Sequence, residues 1–143
     1  MAICARLALP FESLSGGTFM KPFSNGELHV DVLARTVTQF RLVWRGRSAS
    51  RAPGLDLQPW LRTVLTEARL ARASIELRFE ALEYFNSSTV GVLIDFVRSA
   101  SAEKVPLQFI YSADVRWQRL SFDALQVFSR LDQNIQVSAA PPV

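Results

Sequence analysis

The residue types best able to do chemistry lie together in Asn86-Ser87-Ser88-Thr89, a polar turn between the apolar stretch Leu82 to Phe85 and the apolar run Val90 to Ile94. Three hydroxyls follow one asparagine, a residue type strongly preferred as a helix N-cap. At a helix N-terminus, unsatisfied backbone N–H groups and the helix dipole favour negative charge. A serine there is well placed to carry a phosphate, whose charge of about −1.5 to −2 can switch a binding surface. Serines in such turns also serve as ordinary caps. With Asn86 as the cap and about 100° per residue, Val90, Leu93, Ile94 and Val97 form one apolar stripe. Ser88 then falls on the opposite side, near Gly91, Val92 and Asp95, while Ser87 and Thr89 sit closer to the flanks. Ser88 is therefore the first candidate for phosphorylation and Ser87 the second. Asn86, Thr89, Gly91, Val92 and Asp95 are the candidate partner-binding residues, with Gly91 leaving room for another backbone.

Other chemistries find less support. His29 is the one histidine, on the polar phase of an alternating segment, and no Gly-x-Ser-x-Gly elbow accompanies it. Catalytic residues are not expected. No His, Cys, Asp and Glu cluster has ligand spacing, and Gly16-Gly17 lacks the rest of a phosphate loop, so neither metal nor cofactor is expected. Arg45, Arg47 and Arg51 are expected in a loop, where they could meet an acidic partner or a phosphate on the turn. Trp44 and Trp60 read as packing residues, and Trp117 as a possible partner anchor. Asp114 reads as a helix cap, and Asp123 has no catalytic role.

The elements that must position the turn follow from hydrophobic periodicity. Gly26 to Val32 and Gln39 to Trp44 alternate as strands, and Arg45 to Pro59 reads as a loop. Gln58 to Ala71 has helical spacing, with Asp56 available as cap or dipole partner. Ser74 to Phe79 is a strand leading towards the polar turn, with Leu82 to Phe85 as the end of a buried strand. A helix from about Ser87 to Ala102 follows, then a strand (Val105 to Tyr111), a turn and helix (Ser112 to Arg130) and a short strand (Ile135 to Val137). Strand–helix alternation implies parallel pairing with crossovers packed on the sheet, an α/β fold. Residues 1–23 are expected as an irregular arm, 24–138 as the domain and 139–143 as a tail.

At 143 residues the chain suits one domain, and with 49% apolar and 20% charged residues it has ordinary globular composition. Of sixteen basic residues only Lys21 and Lys104 are lysine; the net charge is +3, with no basic stripe interleaved with aromatics, so nucleic-acid binding is not expected. Cys4 is alone, which excludes a disulfide framework within the chain and suits a reducing compartment. No run of about twenty apolar residues is present, so no membrane span is expected. The Met1 to Pro10 run is too short, and too interrupted by Arg6, for a secretory signal. A cytoplasmic location is expected.

The segment Ile75 through Val97, followed by Val105 to Phe128, resembles the STAS domain of bacterial anti-sigma-factor antagonists and stressosome proteins. In that family an apolar strand ends in an Asp-Ser-Ser-Gly-Leu-Gly type turn that opens a helix. Here the stretch reads Asn86-Ser87-Ser88-Thr89-Val90-Gly91, with Asn86 for the usual aspartate and Thr89 for the first glycine. The Phe85-Asn86-Ser87 form is similar to a branch of small bacterial regulatory phosphoproteins in which the hydroxyl directly after Asn can be the acceptor. The resemblance implies a STAS-like mixed sheet of about four to five strands with helices mainly on one face. It also implies a non-enzymatic protein-binding module, anti-sigma factor antagonist-like, switched by serine phosphorylation. Its partners would be an anti-sigma factor that is also a serine kinase, and a cognate phosphatase. Two alternatives dispense with phosphorylation: an accessory subunit of a transport complex, and an oligomerising scaffold.

Overall fold

The computed structural model describes residues 20–36 and 38–141. The expected N-terminal arm therefore lies outside the described residues up to position 19, as do the last two residues of the expected tail. Eleven elements follow in chain order: β1 (Phe23–Asn25), β2 (Leu28–Thr36), β3 (Gln39–Ser48), a 3₁₀ turn (Pro53–Leu55), α1 (Leu57–Ala71), β4 (Ser74–Arg78), β5 (Leu82–Phe85), α2 (Ser87–Glu103), β6 (Leu107–Tyr111), α3 (Arg116–Leu131) and β7 (Ile135–Ala139).

The strands form one mixed sheet in the order β1-β2-β3-β4-β6-β7, with β5 paired to β3 off that path. β1, β2 and β3 are antiparallel neighbours, whereas β3-β4, β4-β6 and β6-β7 are parallel. The parallel strands are added in one direction, so right-handed crossovers carry α1, α2 and α3 to the same face. On that face Val30, Phe40, Leu42, Trp44, Ile75, Leu77 and Phe109 are buried. On the other face the alternate positions of β3 and β4 are polar apart from Val43, and there Arg41 and Arg78 both bond to Glu76 Oε1, at 2.6 and 3.2 Å. This is the expected mixed α/β sheet with one-sided helices, but with seven strands among the described residues instead of four to five.

Each additional strand has a local cause. β1 closes a tight hairpin with β2 through Gly26, whose φ of +63° suits a glycine. β3 runs on to Ser48, so Arg45 and Arg47 lie on a strand and only Arg51 falls in the expected loop. Gly46 makes that extension possible. Its φ is +87°, and a Cβ there would stand 1.9 Å from the carbonyl oxygen of Glu27. Beyond the bulge at Gly46, β3 pairs with β5 instead of β4. The expected single strand into the polar turn is thus two strands separated by a turn at Phe79–Ala81.

Gln118, fully buried on α3, holds that break together: its Nε2 donates to the carbonyls of Phe79 (2.6 Å) and Leu82 (2.9 Å), and its Oε1 accepts from Ser112 N–H (2.8 Å). Asp114, expected as the cap of this helix, is not its N-cap; that position is Val115, which makes no side-chain cap bond. Around the break the aromatic core closes. Phe79 has ring centroids of Trp44 and Phe122 at 4.9 Å, and Tyr111 stacks on Phe122 at 5.2 Å.

Candidate functional site

Asn86 is the N-cap of α2, as its type and place predict. Its backbone is extended, and its Oδ1 accepts from Thr89 N–H at 2.9 Å, the reach of an N-cap side chain to the third helical residue. The Asn86 carbonyl accepts from Val90 N–H. Among the described residues, the N–H groups of Ser87 and Ser88 have no acceptor, which leaves two donors at the positive end of the helix dipole.

The turn is anchored to the far end of β3. Asn86 N–H donates to Ser48 C=O (3.1 Å), and Asn86 Nδ2 donates to Ser50 C=O (2.8 Å). Beneath them Thr89 Oγ1 lies 2.9 Å from Asn86 Oδ1 and 2.7 Å from Ser48 Oγ. Thr89 and Ser48 are both buried, so these hydroxyls satisfy one another out of reach of solvent. Thr89 therefore supports the turn from below and does not present itself to a partner.

The buried stripe of α2 consists of Thr89, Val92, Leu93, Phe96, Val97 and Ala100. That is about a quarter turn from the stripe of Val90, Leu93, Ile94 and Val97 expected from the wheel, and Val90 and Ile94 are only partly buried. The cause is α1: Val92 lines the contact with Leu61 and Leu65 of that helix. Val92 is thus 6% exposed and not the surface contact expected beside Ser88. Ser87, Ser88, Gly91 and Asp95 are exposed, and a Cβ on Gly91 would meet nothing within 4 Å. With this phase, Ser87 and Gly91 lie opposite the buried stripe. Ser88 and Asp95 flank α1, where Gln58 Nε2 lies 3.4 Å from Asp95 Oδ2.

The neighbouring arginines have separate roles. Arg45 pairs with Asp31 at 3.0 Å, and Arg47 lies 4.9 Å over the Tyr84 ring. Arg51 follows Ser50, whose carbonyl holds Asn86, and it is exposed with no ion-pair partner among the described residues. Trp117, expected as a possible partner anchor, is half-buried and meets Phe85 edge-on at 5.0 Å, directly behind the turn. His29 Nδ1 lies 3.0 Å from Ser24 Oγ. A cavity of about 310 Å³ opens between the β1–β2 hairpin and the Arg47–Pro53 segment, lined by Phe23, Asn25, Arg47, Ser48 and Leu57 among others.

Titration shifts fall away from the turn. Burial, then the charge of Asp123 and a hydrogen bond to it, raise Tyr111 above the usual phenol range. The Ser101 hydroxyl and Asn134 N–H hold Asp132 below the usual carboxylate range. At the turn itself the arrangement offers anion-accepting donors and exposed hydroxyls on a rigid support.

No family model matches the chain, and no curated protein sequence matches it. Among solved structures the chain is similar to SiaC, in the crystal structure of the diguanylate cyclase SiaD in complex with its activator SiaC from Pseudomonas aeruginosa. The TM-score is 0.55 at 16% identity, covering 84% of this chain and 99% of that one. It is also similar to the anti-sigma factor antagonist SpoIIAA in its unphosphorylated form, with TM-score 0.46 and 18% identity over 57% of this chain and 71% of that one. At such identities the likeness is one of fold. The chain has the SpoIIAA-like, STAS-type fold that SiaC shares. No helix among the described residues is long and apolar enough to cross a membrane.

Proposed function

We propose that this chain is a non-enzymatic protein-binding regulatory module whose contact surface is the N-terminal turn of α2. We further propose that phosphorylation of Ser87, with Ser88 as the second acceptor, switches that contact. The observation that carries the reading is the exposed Ser87-Ser88 pair at an Asn-capped helix start, clamped to β3 by the bonds of Asn86 and Thr89. The phase of the buried stripe supports Ser87 over Ser88, reversing the order obtained from the wheel. The fold supports the class of function: SiaC, with the same fold, is found bound to the cyclase it activates. The partner is accordingly a regulatory protein, either an anti-sigma factor acting as serine kinase with a cognate phosphatase, or a signalling enzyme of the SiaD kind.

In the unmodified state the turn offers short neutral side chains, and the bare backbone of Gly91 lets a partner approach closely. A phosphate on Ser87 adds a charge of about −1.5 to −2 there. Within the chain the free N–H groups of Ser87 and Ser88, and Arg51 on the adjacent loop, tolerate that charge. A partner surface closed over Gly91 and Asp95 has to desolvate it and meets repulsion wherever it is acidic.

The test is co-purification from native cells with Ser87→Ala and Ser87→Asp, and the same pair at Ser88. The alanine form retains the partner and the aspartate form loses at least about tenfold in affinity, roughly 1.4 kcal/mol. Equal capture by all four variants would exclude the switch and favour a constitutive subunit.

A further inference from the structure

The exposed large apolar side chains of the described residues are not scattered evenly. Leu33, Leu55, Leu70 and Tyr84 stand singly on four different elements, as isolated surface apolar residues commonly do. Leu120, Val127 and Leu131, exposed by 58%, 45% and 78%, share α3 with exposed Ala124 between them. Their spacing of four, three and four residues places all four within about 60° of the helix circumference, along about 16 Å of its length. The opposite face of α3, with Gln118, Phe122 and Leu125, is the one packed on the sheet. The helix is therefore apolar on two faces, and one of them is left uncovered by the described residues.

The rim of this seam has a sign. One side continues into half-buried Trp117 and Phe128. The other carries exposed Arg116, Arg119, Asp123 and Arg130. The three arginines have no carboxylate partner among the described residues, and Asp123 is engaged by the Tyr111 hydroxyl. A second copy of the chain does not answer this pattern. An antiparallel pair of α3 helices about a twofold axis sets the two arginine flanks side by side. A parallel pair sets each arginine flank against the other copy's Trp117 and Phe128, where no carboxylate meets it.

We propose that the outer face of α3 docks an amphipathic helix of a partner protein, with leucine-type residues at three–four spacing and acidic residues along the flank facing Arg116, Arg119 and Arg130. Three–four apolar spacing is what one helix needs to seat another, and the flanking charges select which helix it is. The surface is distinct from the α2 turn and does not depend on phosphorylation of that turn.

The test uses the full chain and two synthetic helical peptides with leucines at three–four spacing, one flanked by glutamates and one by lysines. Fluorescence anisotropy should show the glutamate peptide binding at least about tenfold more tightly, the difference shrinking as salt is raised. Val127→Ser with Leu131→Ser should remove binding while the circular dichroism spectrum and Tm hold, since both side chains are exposed. Arg116→Glu with Arg130→Glu should reverse the peptide preference. Failure of both peptides to bind, equal affinity for the two, or a dimer in sedimentation that Val127→Ser dissolves would overturn the proposal.

Discussion

Thr89 carries its hydroxyl into a site with no solvent, shared between Ser48 Oγ and Asn86 Oδ1, and so joins the start of α2 to the end of β3. Valine has nearly the same shape but cannot replace those bonds, and it leaves Ser48 Oγ buried without its partner. Thr89→Val should therefore cost about 1–3 kcal/mol in urea denaturation, whereas Thr89→Ser, which keeps the hydroxyl, should cost less. The same substitution should loosen Asn86, seen as faster hydrogen exchange at the Thr89 and Val90 amides; unchanged stability would mean that the hydroxyl bridge does not support the turn. Asn86 as the cap was legible from residue type and position alone, because capping is a local affair. The buried role of Thr89 was not: its partner lies 41 residues away on a strand end that, with Gly46 and the Ser48-Ala49-Ser50 run, reads as loop.

At the level of elements, the decisive feature is the interruption between β4 and β5. It lets β3 pair first with β4 and then with β5, and it brings Phe85 and the turn behind it over Trp117. An interruption buried in the core needs its backbone groups satisfied, and Gln118 does this for two carbonyls and an N–H. Gln118→Leu should fit the space and yet destabilise by about 2–4 kcal/mol, because the Leu82 carbonyl and the Ser112 N–H lose this partner and the Phe79 carbonyl keeps only Leu82 N–H; a cost under about 1 kcal/mol in chemical denaturation would refute that role. Alternation and helical spacing locate most of the described strands and the three described helices within a few residues, since those patterns are what the sheet and its crossovers require. They cannot place the break: the side chains at Phe79, Leu82 and Phe85 are apolar throughout, and the bonds that define it come from α3. Nor can periodicity set the phase of α2. Val90, Val92, Leu93, Ile94, Phe96 and Val97 cover more than half its circumference, and packing of Val92 against α1 selects the buried side.

At the largest scale, the described residues form a one-sided sheet whose three helices leave two different surfaces open among those residues, the polar start of α2 and the apolar seam of α3. Strand–helix alternation makes the first part of that architecture legible, and the stretch from Ile75 to Phe128, with its Asn86 to Gly91 turn, resembles a STAS domain; the SiaC likeness bears out the fold. The α3 seam could not be read from the chain, because Val115, Leu120, Phe122, Leu125 and Phe128 read as a single inward face until the sheet chooses one side. The central claim is that the α2 turn is a phosphorylation-controlled contact. It is tested most directly by phosphopeptide mapping of the protein purified from its native cells in growth and in stress, reading the tryptic peptide from Phe79 to Arg98. A single phosphate on Ser87 or Ser88, with an occupancy that changes between the two conditions, is the predicted result. A peptide that stays unmodified in every condition would contradict the account and leave the two serines as part of an ordinary helix cap.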